Sequence, residues 1–167
     1  MAKKKIKVEE IQISIISEKE DDFFSITDIA RKASAAPKDT VKAYLRNGNN
    51  IEYMAAWEKL HNKDFKEVVA DLFKNESVSN AFTLSVKEWR EKTNAIGIYS
   101  ERGRFGGTYA HKDIALQFAM WLSPVFHLYI VKEFDRLKHA EAQLLGKDWN
   151  LKREIAKANY PLSLIHI

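Results

Sequence analysis

Ile96-Gly97-Ile98-Tyr99-Ser100-Glu101-Arg102-Gly103-Arg104-Phe105-Gly106-Gly107-Thr108-Tyr109-Ala110 is the stretch on which the reading of the fold turns. Two β-rich runs flank a glycine-containing connection, the pattern of a β-hairpin. Its tip carries Arg102 and Arg104. Glycine at 103 and 106 lets a backbone approach an anion closely while the Arg104 guanidinium reaches onward. Downstream, His111 or Asp113 begins a helix with Ile114, Phe118, Trp121 and Leu122 as its apolar residues. Ser123-Pro124 reads as a cap followed by a first-turn proline. A long helix then runs through Phe126, Ile130, Phe134 and Leu137 toward Leu145.

Upstream of the hairpin, Ile6 to Ile16 alternates loosely and reads as a strand. Ser17 to Asp22 follows as an acidic turn, and Phe23 to Ile26 as a short partner strand. A helix begins at Thr27-Asp28 with Ile29, Ala30 and Ala33 as its apolar face, and it gives way to a turn at Ser34-Ala35-Ala36-Pro37. Pro37 suits the first turn of a second helix, which stops at Arg46-Asn47-Gly48. Val41, Tyr44 and Leu45 form its inner face, so Lys38, Lys42 and Arg46 share one polar stripe at i, i+4, i+8. Further helices are expected from Ile51 to Leu60, with Tyr53, Met54, Trp57 and Leu60 at helical spacing. Another runs from Phe65 to Phe73, with Phe65, Val68, Val69, Leu72 and Phe73 on the core side. Ser85 and Glu88 have capping-box spacing for a helix that ends near Ala95.

Helix, turn, second helix with a cationic stripe, and a later hairpin with a basic tip is the order of parts in a winged helix-turn-helix. The expected fold is therefore α+β: a winged helix-turn-helix-like domain with a small β-sheet, a hairpin wing and a long C-terminal helix. In such a fold a helix enters the major groove of a duplex while a hairpin follows the backbone or the minor groove. Lys38, Lys42 and Arg46 would then meet phosphates or base edges, with Thr40 and Asn47 as neutral donors.

Charge is distributed in keeping with that geometry. The 167-residue chain carries a net charge of only +4. Residues 25–50 hold Arg31, Lys32, Lys38, Lys42 and Arg46 against Asp28 and Asp39, and residues 98–112 hold Arg102, Arg104 and Lys112 against Glu101. These two segments contain the whole basic excess, and the remainder of the chain is slightly acidic. Brought together, they would make a surface able to meet phosphates; held apart, they would be ordinary solvated faces.

Several function classes are excluded or disfavoured. With no Cys, the chain has no thiolate nucleophile, disulfide, iron–sulfur cluster or cysteine-ligated zinc, which fits a reducing cytoplasm. No run approaches the length of a membrane-spanning helix, and no signal peptide is evident. His61, His127, His139 and His166 lack metal-ligand spacing, Ser123 has no nucleophile-elbow context, and the acids are scattered. His111 and Asp113 read as helix-start residues. No enzymatic chemistry, cofactor or metal is expected. Trp57, Trp89 and Trp121 have the spacing of packed residues rather than base-stacking platforms. Gly103-Arg104-Phe105-Gly106 matches the GXXG loop of KH domains, but that loop joins two helices, and this one lies between strand-like runs.

A multi-part resemblance adds to this reading. Ile26-Thr27-Asp28-Ile29-Ala30, Tyr44-Leu45-Arg46-Asn47 with Ile51-Glu52-Tyr53 and Trp57-Glu58, and Gly103 through Ala115 resemble the KilA-N domain of phage and bacterial proteins. So do Phe118 through Pro124 and Lys132-Glu133-Phe134. That family is similar to the APSES domain of fungal cell-cycle transcription factors. The resemblance implies double-stranded DNA binding, with Lys38, Thr40, Lys42, Arg46 and Asn47 on the recognition helix and Arg102, Arg104, Thr108 and Lys112 on the wing and its flank. It implies a DNA-binding domain over residues 1–138, followed by a helical extension over 139–161. Leu162-Ser163-Leu164-Ile165-His166-Ile167 resembles the translation of a sequencing-library adaptor end, so a truncated gene is expected and no function is assigned to those residues. The expected activity is that of a phage- or mobile-element-associated regulator in the cytoplasm. Its rivals are an RNA or single-strand binder, a nuclease, and a protein-interaction module such as an antirepressor, whose C-terminal helix would engage a second copy or another protein.

Overall fold

Ser25 closes a strand and opens a helix, its hydroxyl accepting from the Asp28 amide at 3.1 Å as an N-cap. The computed structural model describes residues 2–8, 11–18, 21–104 and 106–158. Its elements run β1 (Ala2–Val8), β2 (Ile11–Glu18), β3 (Asp21–Ser25), α1 (Ile26–Ala33), α2 (Pro37–Arg46), α3 (Gly48–His61), α4 (Glu67–Glu76), α5 (Val86–Thr93), β4 (Ile98–Glu101), β5 (Gly107–His111), α6 (Lys112–Leu122) and α7 (Pro124–Ala158). The architecture is α+β, with an antiparallel five-stranded sheet in the order β1-β2-β3-β5-β4. The late hairpin is thus stitched to the early strand, Phe23 opposite His111 and Ser25 opposite Tyr109. Gly103–Gly106 lies between strands, unlike a KH loop.

The strand expected over Ile6–Ile16 is instead two paired strands, with Val8 opposite Ile11. No Gly, Pro or Asn stands between them to signal a turn, so the sequence reads as one run. The acidic turn expected over Ser17–Asp22 is likewise largely strand, with β2 reaching Glu18 and β3 starting at Asp21; residues 19 and 20 lie outside the described residues. Helix α3 starts earlier than Ile51, because the Asn47 side chain accepts from the amides of Asn49 (2.9 Å) and Asn50 (3.4 Å). Its inner stripe runs through Ile51, Met54, Ala55 and the buried Glu58, which leaves Leu60, expected inside, 82% exposed. A charged residue on that stripe concealed it. In α4 the inward residues are Ala70 and Phe73, whereas Val68 and Leu72, also expected inside, face solvent. Helix α7 extends past Leu145 to Ala158, through a sequence rich in strong helix formers and free of proline.

The chain divides into two compact units between Ser123 and Pro124. In the first, the core joins Ile26 and Ala30 of α1, Val41, Tyr44 and Leu45 of α2, Ile51 and Met54 of α3, Trp89 of α5, Ile98 and Ala110 of the hairpin, and Ile114 and Phe118 of α6. Trp57 and Trp89 are buried and Trp121 packs against the core, as their spacing predicts. The Tyr44 ring lies 5.1 Å from Phe118 and 5.4 Å from Trp121, both edge-on. The second unit, from Pro124 onward, contains α7. Residues 159–167, including Leu162–Ile167, lie outside the described residues. Among the described residues no helix is long and apolar enough to cross a membrane, and no group of three or more His, Asp or Glu is placed to hold a metal ion.

Candidate nucleic-acid interface

Helix α2 owes its orientation to its inner face. Burial of Val41, Tyr44 and Leu45 turns the opposite side of the helix outward, and Lys38 and Lys42, one turn apart, stand exposed on it. Tyr44 is further fixed by polar bonds: its hydroxyl donates to Gln117 Oε1, Gln117 Nε2 donates to Asn50 Oδ1 at 2.9 Å, and Asn50 Nδ2 donates to the Tyr44 carbonyl at 3.1 Å. Burial raises the Tyr44 phenol well above the ordinary tyrosine range, so it stays a donor. The α1–α2 turn is held by the Ser34 hydroxyl, which accepts from the Ala36 amide at 3.0 Å.

The hairpin is placed just as firmly. Glu58 Oε1 accepts from the amides of Ile96 (2.9 Å) and Gly97 (2.6 Å), and Oε2 accepts from Asn62 Nδ2 at 2.9 Å. The buried side chain thereby anchors the entry to β4 on α3. Gly97 is the contact point, since a Cβ there would sit 2.7 Å from Ile114 Cδ1 and 2.8 Å from the Trp57 ring. At the exit, the His111 amide donates to the Gly97 carbonyl at 2.8 Å, and His111 Nδ1 caps α6 by accepting from the Asp113 amide at 3.2 Å. The helix-start role expected for His111 and Asp113 is thus observed. Trp57 Nε1 donates to Asp113 Oδ2 at 3.1 Å, closing the same corner.

Between these two anchored elements runs a groove of about 490 Å³. Lys38 and Lys42 line one wall, Arg102, Gly103 and Thr108 the other, and Thr27 and Arg31 of α1 also line it. The Thr108 amide donates to Thr27 Oγ1 at 2.9 Å, fastening the hairpin to the start of α1. Gly103 adopts φ +110, the left-handed region where a side chain is strained, and the Gly106 amide closes the tip onto the Gly103 carbonyl at 3.0 Å. The two basic segments, nearly fifty residues apart in sequence, therefore share one surface. Lys38, Lys42, Arg102 and Arg104 make no ion pair with any described residue; Arg31 pairs with Asp28, and Glu101 is the acid among the lining residues.

The remaining expected site residues are placed differently. Arg104 is exposed on the hairpin tip outside the groove lining. Thr40 is half-buried and its hydroxyl donates to the Ala36 carbonyl at 3.4 Å. Arg46 is drawn off the stripe, its guanidinium donating to the Asn80 carbonyl at 3.1 Å, and the Asn47 side chain is occupied as the cap of α3. Lys112 is exposed at the start of α6, also outside the lining. Thr27, Arg31, Ser85 and Ser100 line the groove without having been singled out for it. Ser100 was within reach of strand alternation, because it stands opposite Thr108 in the hairpin register.

Comparison with known proteins follows the same residues. The KilA-N domain model matches residues 6–140. Protein kilA of Escherichia phage P1 is 34% identical over 77 residues, which cover 43% of this chain and 29% of that protein, so the chain corresponds to less than a third of that relative's length. No solved structure matches. With the family pattern spanning both the helix pair and the hairpin that enclose the groove, the chain belongs to the KilA-N domain family.

Proposed function

We propose that this chain binds double-stranded DNA through the groove between α2 and the β4–β5 hairpin, in the manner of a winged helix-turn-helix. The observation that carries the reading is the convergence of Lys38, Lys42 and Arg102, none with an acidic partner among the described residues, on one groove bordered by a glycine-bearing tip. Phosphate oxygens are the natural occupants: an exposed lysine is a point charge for them, arginine presents a fork of donors, and a duplex supplies phosphates at regular intervals. Lys38 and Lys42 of α2 engage one stretch of backbone, while Arg102 and Arg104 of the wing engage another, and the Thr108 hydroxyl adds a neutral contact. Arg46 and Asn47 already have partners within the fold and serve α2 and α3 first. Membership of the KilA-N family and the phage source of the P1 relative support a role as a phage- or mobile-element-associated regulator, acting in the cytoplasm by binding and without chemistry.

Fluorescence anisotropy with a labelled duplex across a salt series tests this reading. Affinity should fall steeply with salt, and Lys42→Ala and Arg102→Ala should each weaken binding and flatten the logarithmic salt slope by about one phosphate contact. Binding that is absent or insensitive to salt would sink it. Equal competition by single strands would favour recognition of unpaired nucleic acid instead.

A further inference from the structure

Thr27 opens the Thr27-Asp28 stretch that the sequence marks as a helix start, yet it does not cap α1. Ser25 does, its hydroxyl accepting from the Asp28 amide. The Thr27 hydroxyl turns instead to the hairpin, where Oγ1 accepts from the Thr108 amide at 2.9 Å. The sheet register explains why an acceptor is needed there. Strand β3 pairs with β5 at Phe24–Ala110 and Ser25–Tyr109, and one further step would set Ile26 opposite Thr108. Ile26, however, is the first residue of α1, so β3 leaves the sheet while β5 runs beside β4 at Thr108 and Gly107. Amides alternate sides along a strand, so Thr108 donates toward the space that β3 no longer occupies. The Thr27 side chain supplies the oxygen that a strand carbonyl would have supplied. Gly107 permits the approach, since a Cβ there would lie 3.2 Å from Thr27 Oγ1 and 3.3 Å from Thr27 Cβ.

We propose that Thr27 is the positioning residue of the wing: its hydroxyl holds the β4–β5 hairpin, and with it Arg102 and Arg104, in place for a duplex. The proposal rests on the DNA reading for its purpose but not for its geometry. Pairing with β3 ends at Ser25–Tyr109, and the strands beyond that point form a two-stranded ribbon, which has little stability of its own. Pinning the ribbon at Thr108 lowers the ordering cost that its arginines would otherwise meet on binding. Thr27 is only 5% exposed, so its effect on DNA passes through those arginines rather than through a contact of its own.

Amide hydrogen exchange read residue by residue by NMR, together with duplex anisotropy, tests this on the full chain. In the unaltered protein the Thr108 amide should exchange about 100-fold or more slowly than an unstructured amide. Thr27→Val keeps the side-chain shape and removes the acceptor; it should speed that exchange and weaken duplex binding by about tenfold, and Thr27→Ser should restore both. Thr27→Val should also weaken binding in a Lys42→Ala background, but add nothing to the double variant Arg102→Ala, Arg104→Ala, because it acts through those two side chains. Gly107→Ala presses a methyl against the same oxygen from the hairpin side and should act in the same direction, which decides the matter if Thr27→Val loses its fold. A Thr108 amide that exchanges as an unstructured one in the unaltered protein overturns the proposal without any variant. So does a Thr27→Val protein that binds duplex as tightly as its parent, or one whose full loss persists without the two arginines. If the unaltered protein binds no duplex, the DNA reading fails instead, and exchange at Thr108 in Thr27→Val and Thr27→Ser still decides whether Thr27 holds the wing.

Discussion

The two basic surfaces of the first unit are built from the same residue types and differ in what answers them. On the α3–α4–α5 side, Lys59 meets Glu67 at 3.1 Å, Lys74 meets Glu52 at 2.8 Å, and Lys92 meets Glu88 at 2.9 Å. The Glu52 carboxyl is held below the usual glutamate range by its hydrogen bond to Lys74 and by that lysine's charge. On the α2–hairpin side, Lys38, Lys42 and Arg102 have no acid paired with them among the described residues. Pairing, rather than the number of cations, separates a neutralised face from one with spare charge. Exposed pairs such as Lys59–Glu67 add little stability and leave little field, whereas an unpaired cluster beside low-dielectric walls attracts phosphate.

That contrast breaks most visibly under charge reversal. Lys38→Glu combined with Lys42→Glu should reduce duplex affinity by about 100-fold or more at moderate salt, since two favourable phosphate contacts become repulsive. Lys59→Glu combined with Lys74→Glu changes net charge equally and should have a far smaller effect. Anisotropy titrations of the two double variants side by side make the comparison, and equal losses would mean that net charge alone drives binding.

The groove also needs its walls held in place. Glu58→Ala removes the acceptor for the Ile96 and Gly97 amides and for Asn62, and leaving buried donors unmet should cost about 3 kcal/mol or more. Urea denaturation measures it; a loss below about 1 kcal/mol would mean that the anchor is dispensable. Gly97→Ala forces a methyl against Ile114 and Trp57, and the expected loss is about 1 to 3 kcal/mol, read from the same denaturation curves. If the hairpin position matters for binding, that variant should lose affinity even where it remains folded.

The smallest effect concerns alkaline pH. The Tyr44 phenol is raised in the folded protein by burial, so above the ordinary tyrosine range the unfolded chain releases a proton that the folded one retains. Stability is therefore whole below pH ~10 and declines as pH rises beyond it. Thermal melts across that range should show the decline, and Tyr44→Phe should reduce it. An unchanged pH slope in Tyr44→Phe would assign the alkaline loss to another group.

Much of this was legible along the chain. Pro37 at the first turn, Asn47 at the boundary of α2 and α3, the Ser85 cap and the glycines of the hairpin are local signals, and each acts within a few residues of itself. Where the reading failed, the deciding contact was remote. Leu60 has helical spacing but lies outside the stripe of α3 that faces the core, where the buried Glu58 is satisfied by amides 38 and 39 residues away; Leu72 likewise lies off the face of α4 that buries Ala70 and Phe73. The Asn80 carbonyl that takes Arg46 off the cationic stripe lies 34 residues downstream of it.

The sequence by itself determined the element types, the helix pair, the basic hairpin tip, the confinement of the basic excess to two segments, and the family pattern. Hydrogen-bond capping, glycine freedom and apolar periodicity are properties of neighbouring residues, so they can be read in order. Only the tertiary structure decided that the two segments face one another across a groove, which of their cations remain unpaired, and which wait on another part of the fold. Those outcomes depend on the β3–β5 pairing and on the Glu58 anchor, and the distances that set an electrostatic surface exist only once residues far apart in the chain have been packed side by side.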